Sequence, residues 1–290
     1  MNPFVISGFA DEICDDFRAQ LETVKELGMT HICLRSANGK NICEYTPEEV
    51  KNELLPLLNE YGIKVSSIGS PLGKVFINDD AAIAAQMETA RKTVETAHIL
   101  SCKYIRVFSF YIPEDDKPEA WRDKVMEKVS EMTKIFAEGD VIALHENEKD
   151  IYGDTGARCL DLVKTVNNPS FRCVFDFANF VQCREDVLSC YDMLKEYISY
   201  FHIKDYSTKT ENNILCGTGE GKIGEILKLA YKNGYSGFLT LEPHLVLFSA
   251  LQSLELAEAD EVIKENLYED GRAGFTAQYN AVTKIVSEIV

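Results

Sequence analysis

Polar residues follow four apolar segments in the second half of the chain. Glu146 comes just after Val-Ile-Ala-Leu, Asp176 after Cys-Val-Phe, His202 after Tyr-Phe and Glu242 after Phe-Leu-Thr-Leu. Three carboxylates that met at one buried place would repel each other unless a cation lay among them. Oxygen ligands with one imidazole nitrogen suit a divalent metal ion, with Mn²⁺ preferred and Mg²⁺, Co²⁺ or Zn²⁺ as alternatives. These four residues are the candidate metal ligands, provided that their segments are neighbouring strands.

Short apolar segments recur along the chain, and segments with helical periodicity separate them. Apolar residues on both alternating faces are typical of strands that are buried on both sides of a parallel sheet. The predicted strands are residues 4–8, 31–35, 64–69, 104–110, 141–145, 172–177, 200–204 and 237–242. The predicted helices are residues 15–27, 47–61, 79–100, 118–138, 155–166, 185–197 and 223–233.

Eight strand–helix units with a mean repeat of about 33 residues predict an α/β fold of the (β/α)8 TIM barrel type. No linker rich in Pro, Gly or Ser interrupts them, so we expect residues 1–290 to form a single domain, in which residues 246–290 are closing helices. A doubly wound sheet is the alternative. That fold needs a Gly-rich phosphate loop after the first strand, and residues 8–12 do not resemble one. In a TIM barrel the carboxyl ends of the strands meet at one face, where the four candidate ligands would converge.

Composition excludes several classes of partner. The chain has 47 Asp+Glu against 30 Lys+Arg, a net charge of −17, which disfavours binding to a nucleic-acid backbone. No segment is long and apolar enough to span a membrane, and the N-terminus does not resemble a signal peptide. Nine irregularly spaced cysteines without a C-x-x-C pair suit a reducing compartment. We therefore expect a cytoplasmic protein that binds neither nucleic acid nor membrane.

Three strand ends resemble those of the xylose isomerase-like TIM barrels. They are Asp176-Phe-Ala-Asn179, His202-Ile-Lys-Asp205 and Leu241-Glu-Pro243. Earlier strand ends, Leu34-Arg35, Ser70-Pro-Leu-Gly-Lys74 and Arg106-Val-Phe-Ser109, resemble a subgroup of sugar isomerase-like proteins. The resemblance covers essentially the whole barrel. The superfamily includes sugar phosphate isomerase/epimerases, ketose 3-epimerases, inosose dehydratases and endonuclease IV.

The resemblance implies a set of site residues. In the ketose 3-epimerases, Glu, Asp, His and Glu from strands five to eight hold one divalent metal ion, which implies Glu146, Asp176, His202 and Glu242 here. The two glutamates also act there as an acid/base pair on opposite faces of the sugar, so Glu146 and Glu242 are the expected catalytic residues. The expected substrate-binding residues are Arg35, Lys74, Arg106, Asn179, Lys204 and His244.

The implied activity is that of a divalent-metal-dependent isomerase or epimerase. It would use enediolate proton transfer on a small sugar, keto-sugar or sugar phosphate. One departure is Asn179, which stands where the family commonly has a His that contacts a sugar oxygen. Because an amide cannot titrate, this departure leaves the substrate and the proton path open. A homo-oligomer is expected by analogy alone, since many relatives associate through barrel helices.

Three alternative functions stay open. A metal-dependent lyase, such as an inosose dehydratase or a 3-keto-glycoside eliminase, would begin with the same proton removal. An endonuclease IV-like phosphodiesterase needs more histidines on the early strands, and the chain has only five histidines. The third alternative is a non-catalytic sugar-binding barrel. The Gly-rich residues 216–222 are interpreted as a wall or lid that brings Glu220 or Lys222 near the substrate.

Overall fold

The computed structural model describes residues 3–251, 256 and 259–290. Eight parallel strands form its central sheet: β1 (Val5–Gly8), β2 (His31–Leu34), β3 (Lys64–Ile68), β4 (Tyr104–Val107), β5 (Ile142–Glu146), β6 (Phe171–Asp176), β7 (Ile198–Ile203) and β8 (Phe238–Leu241). The order around the sheet is β1-β8-β7-β6-β5-β4-β3-β2. A parallel bridge between Phe9 and Cys33 brings β1 and β2 together. The predicted TIM barrel is confirmed, and the doubly wound alternative is wrong.

Helices surround the barrel. They are α1 (Phe17–Glu26), α2 (Pro47–Glu49), α3 (Leu55–Tyr61), α4 (Asp80–Ile99), α5 (Pro118–Glu138), α6 (Gly156–Val166), α7 (Phe177–Gln182), α8 (Val187–Leu194), α9 (Ile223–Lys232), α10 (Ala259–Val262) and α11 (Gly271–Ile289). The helix expected at 47–61 is interrupted by a π-helical turn, Val50–Leu54, and the helix expected at 185–197 is shorter. The short helix α7, which directly follows β6, was not predicted. Within the described residues, none of the helices combines the length and the apolar character needed to cross a membrane.

The final helix covers the side of the barrel where β1 and β8 pair. Helix α11 packs against α9, against β8 and against the 3₁₀ turn Ala10–Glu12. A side chain at Gly8 would collide with Phe275 of α11, because a Cβ there would lie 2.5 Å from the ring. The closing segment predicted at 246–290 therefore contains α10 and α11, while its residues 252–255, 257 and 258 lie outside the described residues. The assignment of the whole chain to one domain stays a prediction.

Strand alternation places the candidate ligands in the barrel interior. Leu144, Val174 and Tyr200 pack together as a buried cluster. Each lies two positions before a candidate ligand on the same strand, and residues two apart on a strand face the same way. Glu146, Asp176 and His202 therefore form the next layer toward the carboxyl ends. The strand register agrees, since Asp176 on β6 and Thr240 on β8 both pair with His202 on β7.

Candidate metal centre

The four predicted ligands lie together at the carboxyl ends of β5 to β8. Glu146 and Asp176 end their strands, His202 is the last residue but one of β7, and Glu242 directly follows β8. One potential ligand atom from each residue lies within 4.8 Å of the other three. All four residues are at most 3% exposed. The structure thus brings the four residues together, and their role as metal ligands stays a prediction.

The polar atoms of this cluster are incompletely satisfied. His202 Nδ1 lies 2.8 Å from Glu146 Oε1 and 3.3 Å from Glu242 Oε2. Asp176 Oδ2, His202 Nε2 and Glu242 Oε2 are buried and have no hydrogen-bond partner among the described residues. Buried polar atoms are rarely left in this condition. Three carboxylates and an imidazole are also the donor types that Mn²⁺, Mg²⁺ and Zn²⁺ accept, so these residues fit a divalent ion.

The charge balance around the cluster favours the same conclusion. Six buried carboxyl groups and four cationic side chains meet at this end of the barrel: Asp11, Glu12, Glu146, Glu148, Asp176 and Glu242, with Arg35, Lys74, Arg106 and Lys204. With all six carboxyl groups ionised and His202 neutral, as in a metal-bound state, these side chains carry an excess of two negative charges, which a divalent cation would neutralise. Protons supply part of the missing positive charge, because burial raises the pKa of Glu12 to about 8 and that of Asp176 to about 7.

The two candidate catalytic glutamates are ionised near neutral pH. Burial by itself would raise the pKa of each, but neighbouring cations outweigh it. His202 and Arg106 hold the pKa of Glu146 below its usual value. Lys204 and His202 hold the pKa of Glu242 well below its usual value. Both side chains are therefore in the form that accepts a proton.

Three of the predicted substrate-binding residues form ion pairs with the candidate ligands. Arg106 Nη1 lies 3.1 Å from Glu146 Oε2, and Lys204 Nζ lies 3.3 Å from Asp176 Oδ2. Arg35 Nη1 donates a hydrogen bond to Glu242 Oε1 across 3.1 Å. The Arg35 side chain has no exposed surface. The structure thus places these cations against the carboxylates, and contact with a substrate stays a prediction for all three.

The other three predicted substrate-binding residues lie around this group. Lys74 Nζ is 3.4 Å from Glu148 Oε2 and lies over the Phe108 ring. The Asn179 amide donates to the backbone carbonyl of Asn147, while the Asn179 backbone N–H donates to Asp176 Oδ1. Asn179 therefore holds Asp176 in place as part of α7. His244 is buried two residues beyond Glu242, and burial together with Lys204 holds its pKa well below the usual value.

Sequence reasoning missed three buried acids of the site. Asp11 and Glu12 follow β1, and both contact Arg35, at 2.7 Å and 3.2 Å. Glu148 follows β5 and contacts Lys74. The other candidates were recognised as polar residues that directly follow an apolar strand in the sequence. The same pattern is present after β1.

Comparison with known proteins agrees with this geometry. The profile of the family described as xylose isomerase-like TIM barrel matches residues 21–266. The chain belongs to this family.

The proteins similar to this chain include a dehydratase and an epimerase. A 3-dehydroshikimate dehydratase from Bacillus anthracis is 21% identical over 187 residues, which are 63% of this chain and 64% of that protein. The matched part thus spans less than two thirds of this curated relative's length. A crystal structure of IolI protein with a bound zinc atom has a TM-score of 0.76 at 17% identity, covering 99% of both chains. D-allulose 3-epimerase from Methylomonas sp. with bound D-allulose has a TM-score of 0.74 at 17% identity, covering 99% of this chain and 97% of that one.

The Gly-rich loop of this xylose isomerase-like barrel has an internal anchor. Asp205 accepts hydrogen bonds from the backbone N–H groups of Gly217, Gly219 and Gly221 at 2.8–3.0 Å. The loop amides that could cradle a phosphate are therefore bound to a carboxylate of the protein itself. Glu220 is exposed and bonds Thr208, and Lys222 is exposed at the start of α9. That Glu220 or Lys222 lies near the substrate stays a prediction.

Proposed function

We propose that this protein is a divalent-metal-dependent isomerase or epimerase that moves a proton beside a carbonyl group of a small sugar or keto-sugar. One observation carries the proposal. The ionised carboxylates of Glu146 and Glu242 both face Nδ1 of His202, at 2.8 Å and 3.3 Å, and both belong to one cluster that fits a metal ion. Two bases at one centre can serve the two faces of a planar substrate intermediate.

In this proposal, different side chains bind the metal ion, transfer protons and stabilise negative charge. Glu146, Asp176, His202 and Glu242 would hold the ion, which when bound would polarise a substrate carbonyl and acidify the adjacent C–H. One of the two ionised glutamates takes up that proton. The other first takes up a proton from solvent and then delivers it to the opposite face or to the neighbouring carbon, and loss of the first proton to solvent restores both carboxylates. Lys204 and Arg106 lie within 3.7 Å of Glu242, so negative charge that develops on the substrate forms beside fixed cations.

Two proteins of similar structure support a metal ion and a ketose as the molecules that this site binds. IolI protein holds zinc, and D-allulose 3-epimerase holds a ketose, each on a barrel of this shape. We propose Mn²⁺ as the ion, because the oxygen-rich donor set suits a hard cation.

A lyase is the second candidate function. The dehydratase from Bacillus anthracis favours it, since that relative is similar to this chain in sequence. A dehydratase also begins by removing a proton beside a carbonyl, and it then expels a neighbouring hydroxyl instead of returning the proton. The same four ligands and the same base serve both reactions.

Incubation in D₂O with Mn²⁺ distinguishes the two reactions. A panel of D-allulose, D-fructose, D-tagatose and 3-dehydroshikimate would be followed by proton NMR. Deuterium uptake into a ketose without loss of water supports the epimerase, whereas an unsaturated product supports the lyase. Glu146→Gln and Glu242→Gln should each lower the rate by about 100-fold or more, because each removes one proton-transfer group.

The matched control is Glu138→Gln on the exposed surface of α5, which should leave the rate unchanged. Wild-type rates in both active-site variants, with a substrate that the protein does convert, would contradict the assignment of these bases.

A further inference from the structure

Glu242 presents its two oxygens to two different surroundings. Its Oε2 faces the candidate metal ligands, 3.3 Å from His202 Nδ1 and 3.7 Å from Lys204 Nζ. Its Oε1 lies 3.1 Å from Arg35 Nη1, 3.6 Å from Arg106 Nη1 and 3.8 Å from His244 Nε2. A second small group of polar atoms therefore lies on the Oε1 side, next to the proposed metal centre.

Glu12 and His244 complete this second group. The His244 backbone N–H donates to Glu12 Oε2 at 2.7 Å, which fixes the carboxyl group. Glu12 Oε1 lies 3.5 Å from His244 Nε2. His244 has a left-handed backbone conformation with φ of 48°, unusual for a residue other than glycine, and its ring stacks on Phe248 at 5.3 Å. Non-glycine residues in this conformation cluster at functional sites.

The buried His244 ring nitrogen, Nε2, is left without a hydrogen-bond partner among the described residues. Its distances of 3.5 Å and 3.8 Å to the two carboxylate oxygens are too long for good hydrogen bonds. An oxygen atom of water or of a ligand that bonds Nε2 from outside the plane of these three atoms would satisfy the ring nitrogen.

The neighbouring charges restrict what this atom can be. Glu12, Glu242 and His244 together have the donor types of a metal site. Arg35 already contacts Oε1 of both carboxylates, at 3.1 Å and 3.2 Å, so a second divalent ion would lie against a guanidinium. A phosphate or carboxylate of a ligand would instead be repelled by the ionised carboxylate of Glu242. A hydroxyl group avoids both penalties, because it is neutral and can both accept and donate a hydrogen bond.

We propose that Glu12, His244 and Oε1 of Glu242 bind one hydroxyl group of the substrate beside the metal centre. The inference rests on the proposed function, because it places this hydroxyl on the Oε1 side of Glu242, next to the proposed metal centre. It defines the substrate as a polyhydroxylated ketone with a free hydroxyl near the reacting carbon. It also places any phosphate or carboxylate of the substrate away from this corner of the site.

Crystals of the full chain grown with Mn²⁺, with and without D-allulose, test the inference directly. We expect an oxygen of water, or of the sugar when it is bound, within about 3.2 Å of His244 Nε2 and of one carboxylate. Anomalous scattering should show Mn²⁺ at the four-residue cluster alone. A second manganese between Glu12 and His244, or no ordered oxygen there, would overturn the proposal. Failure of D-allulose to bind counts against that substrate, and the water position then decides the subsite.

Variants supply a second readout in solution. His244→Ala should raise KM for the converted ketose by about tenfold, since it removes one hydrogen bond to the substrate, and should leave kcat less affected. Isothermal titration should show one Mn²⁺ per chain with unchanged affinity, because His244 is not a ligand in this proposal. His98→Ala, on the exposed end of α4, is the matched histidine control. Loss of a bound Mn²⁺ equivalent in His244→Ala would show that the site holds a metal ion instead.

Discussion

Arg35 and Glu242 are 207 positions apart in the sequence, and Arg35 Nη1 donates to Glu242 Oε1 across 3.1 Å. The same guanidinium binds Asp11 through Nε and Nη2, at 2.7 Å and 3.1 Å, and lies over the Phe9 ring. One buried cation therefore joins the segments that follow β1, β2 and β8, the region where the barrel closes.

Replacement of Arg35 by Met should destabilise the fold strongly. Removing one partner of a buried ion pair costs about 3–5 kcal/mol, because it leaves an uncompensated buried charge. We expect that loss in the free energy of urea unfolding, measured at pH 7 after chelation of divalent ions. Arg18→Met removes an exposed pair with Glu60 and should change the stability little, because solvent screens exposed ion pairs. Equal losses in the two variants would show that the Arg35 network contributes little to stability.

Divalent ions should stabilise the protein through Asp176. Mn²⁺ at about 100 times its Kd should add about 2.7 kcal/mol to the free energy of unfolding, because it binds the folded state. Asp176→Asn should abolish most of this gain. Asp186→Asn is a matched control, since Asp176 caps α7 and Asp186 caps α8 by the same backbone hydrogen bond. The result would contradict the metal site if both variants retained the full stabilisation.

Metal affinity should rise with pH. Burial alone would lower the pKa of His202, but Glu146 and Glu242 raise it to about 9 in protein stripped of metal. A protonated imidazole cannot ligate a metal, so binding at pH 7 must release its proton. We expect Mn²⁺ affinity to increase by about tenfold per pH unit from pH 7 toward pH 9 and then to level off. Calorimetry in buffers of different ionisation enthalpy measures the released proton, and pH-independent affinity would contradict the assignment of His202.

The Asp205 carboxylate should order the glycine-rich loop. Asp205→Ala leaves three glycine N–H groups without their acceptor, and we expect a stability loss of about 2–4 kcal/mol. Hydrogen exchange at Gly217, Gly219 and Gly221 should accelerate together. Glu220→Gln, in the same loop but exposed, should change neither quantity appreciably. Unchanged exchange in Asp205→Ala would mean that other contacts hold the loop.

Much of the architecture follows from local patterns in the chain. Apolar segments mark all eight strands, and helical periodicity marks α1, α4, α5, α6 and α9 to within two residues at each end. The period of two on a strand also puts Glu146, Asp176 and His202 in one layer, because each follows a buried residue on the same face. Local patterns failed at α7, since Phe177–Gln182 is buried nearly throughout and thus shows no amphipathic period.

The sequence by itself determined the barrel and the four candidate ligands. The alternation along each strand and the repeated succession of strand and helix are both visible in short segments of the chain. Only the tertiary structure decided which charges meet. Asp11 and Glu12 join Arg35 and Glu242 because barrel closure places β1 between β2 and β8. The Asp205 carboxylate accepts hydrogen bonds from the glycine N–H groups because the chain folds back over the carboxyl end of β7. Such pairings depend on distances of a few ångströms between segments far apart in the chain, and no spacing along the sequence encodes them.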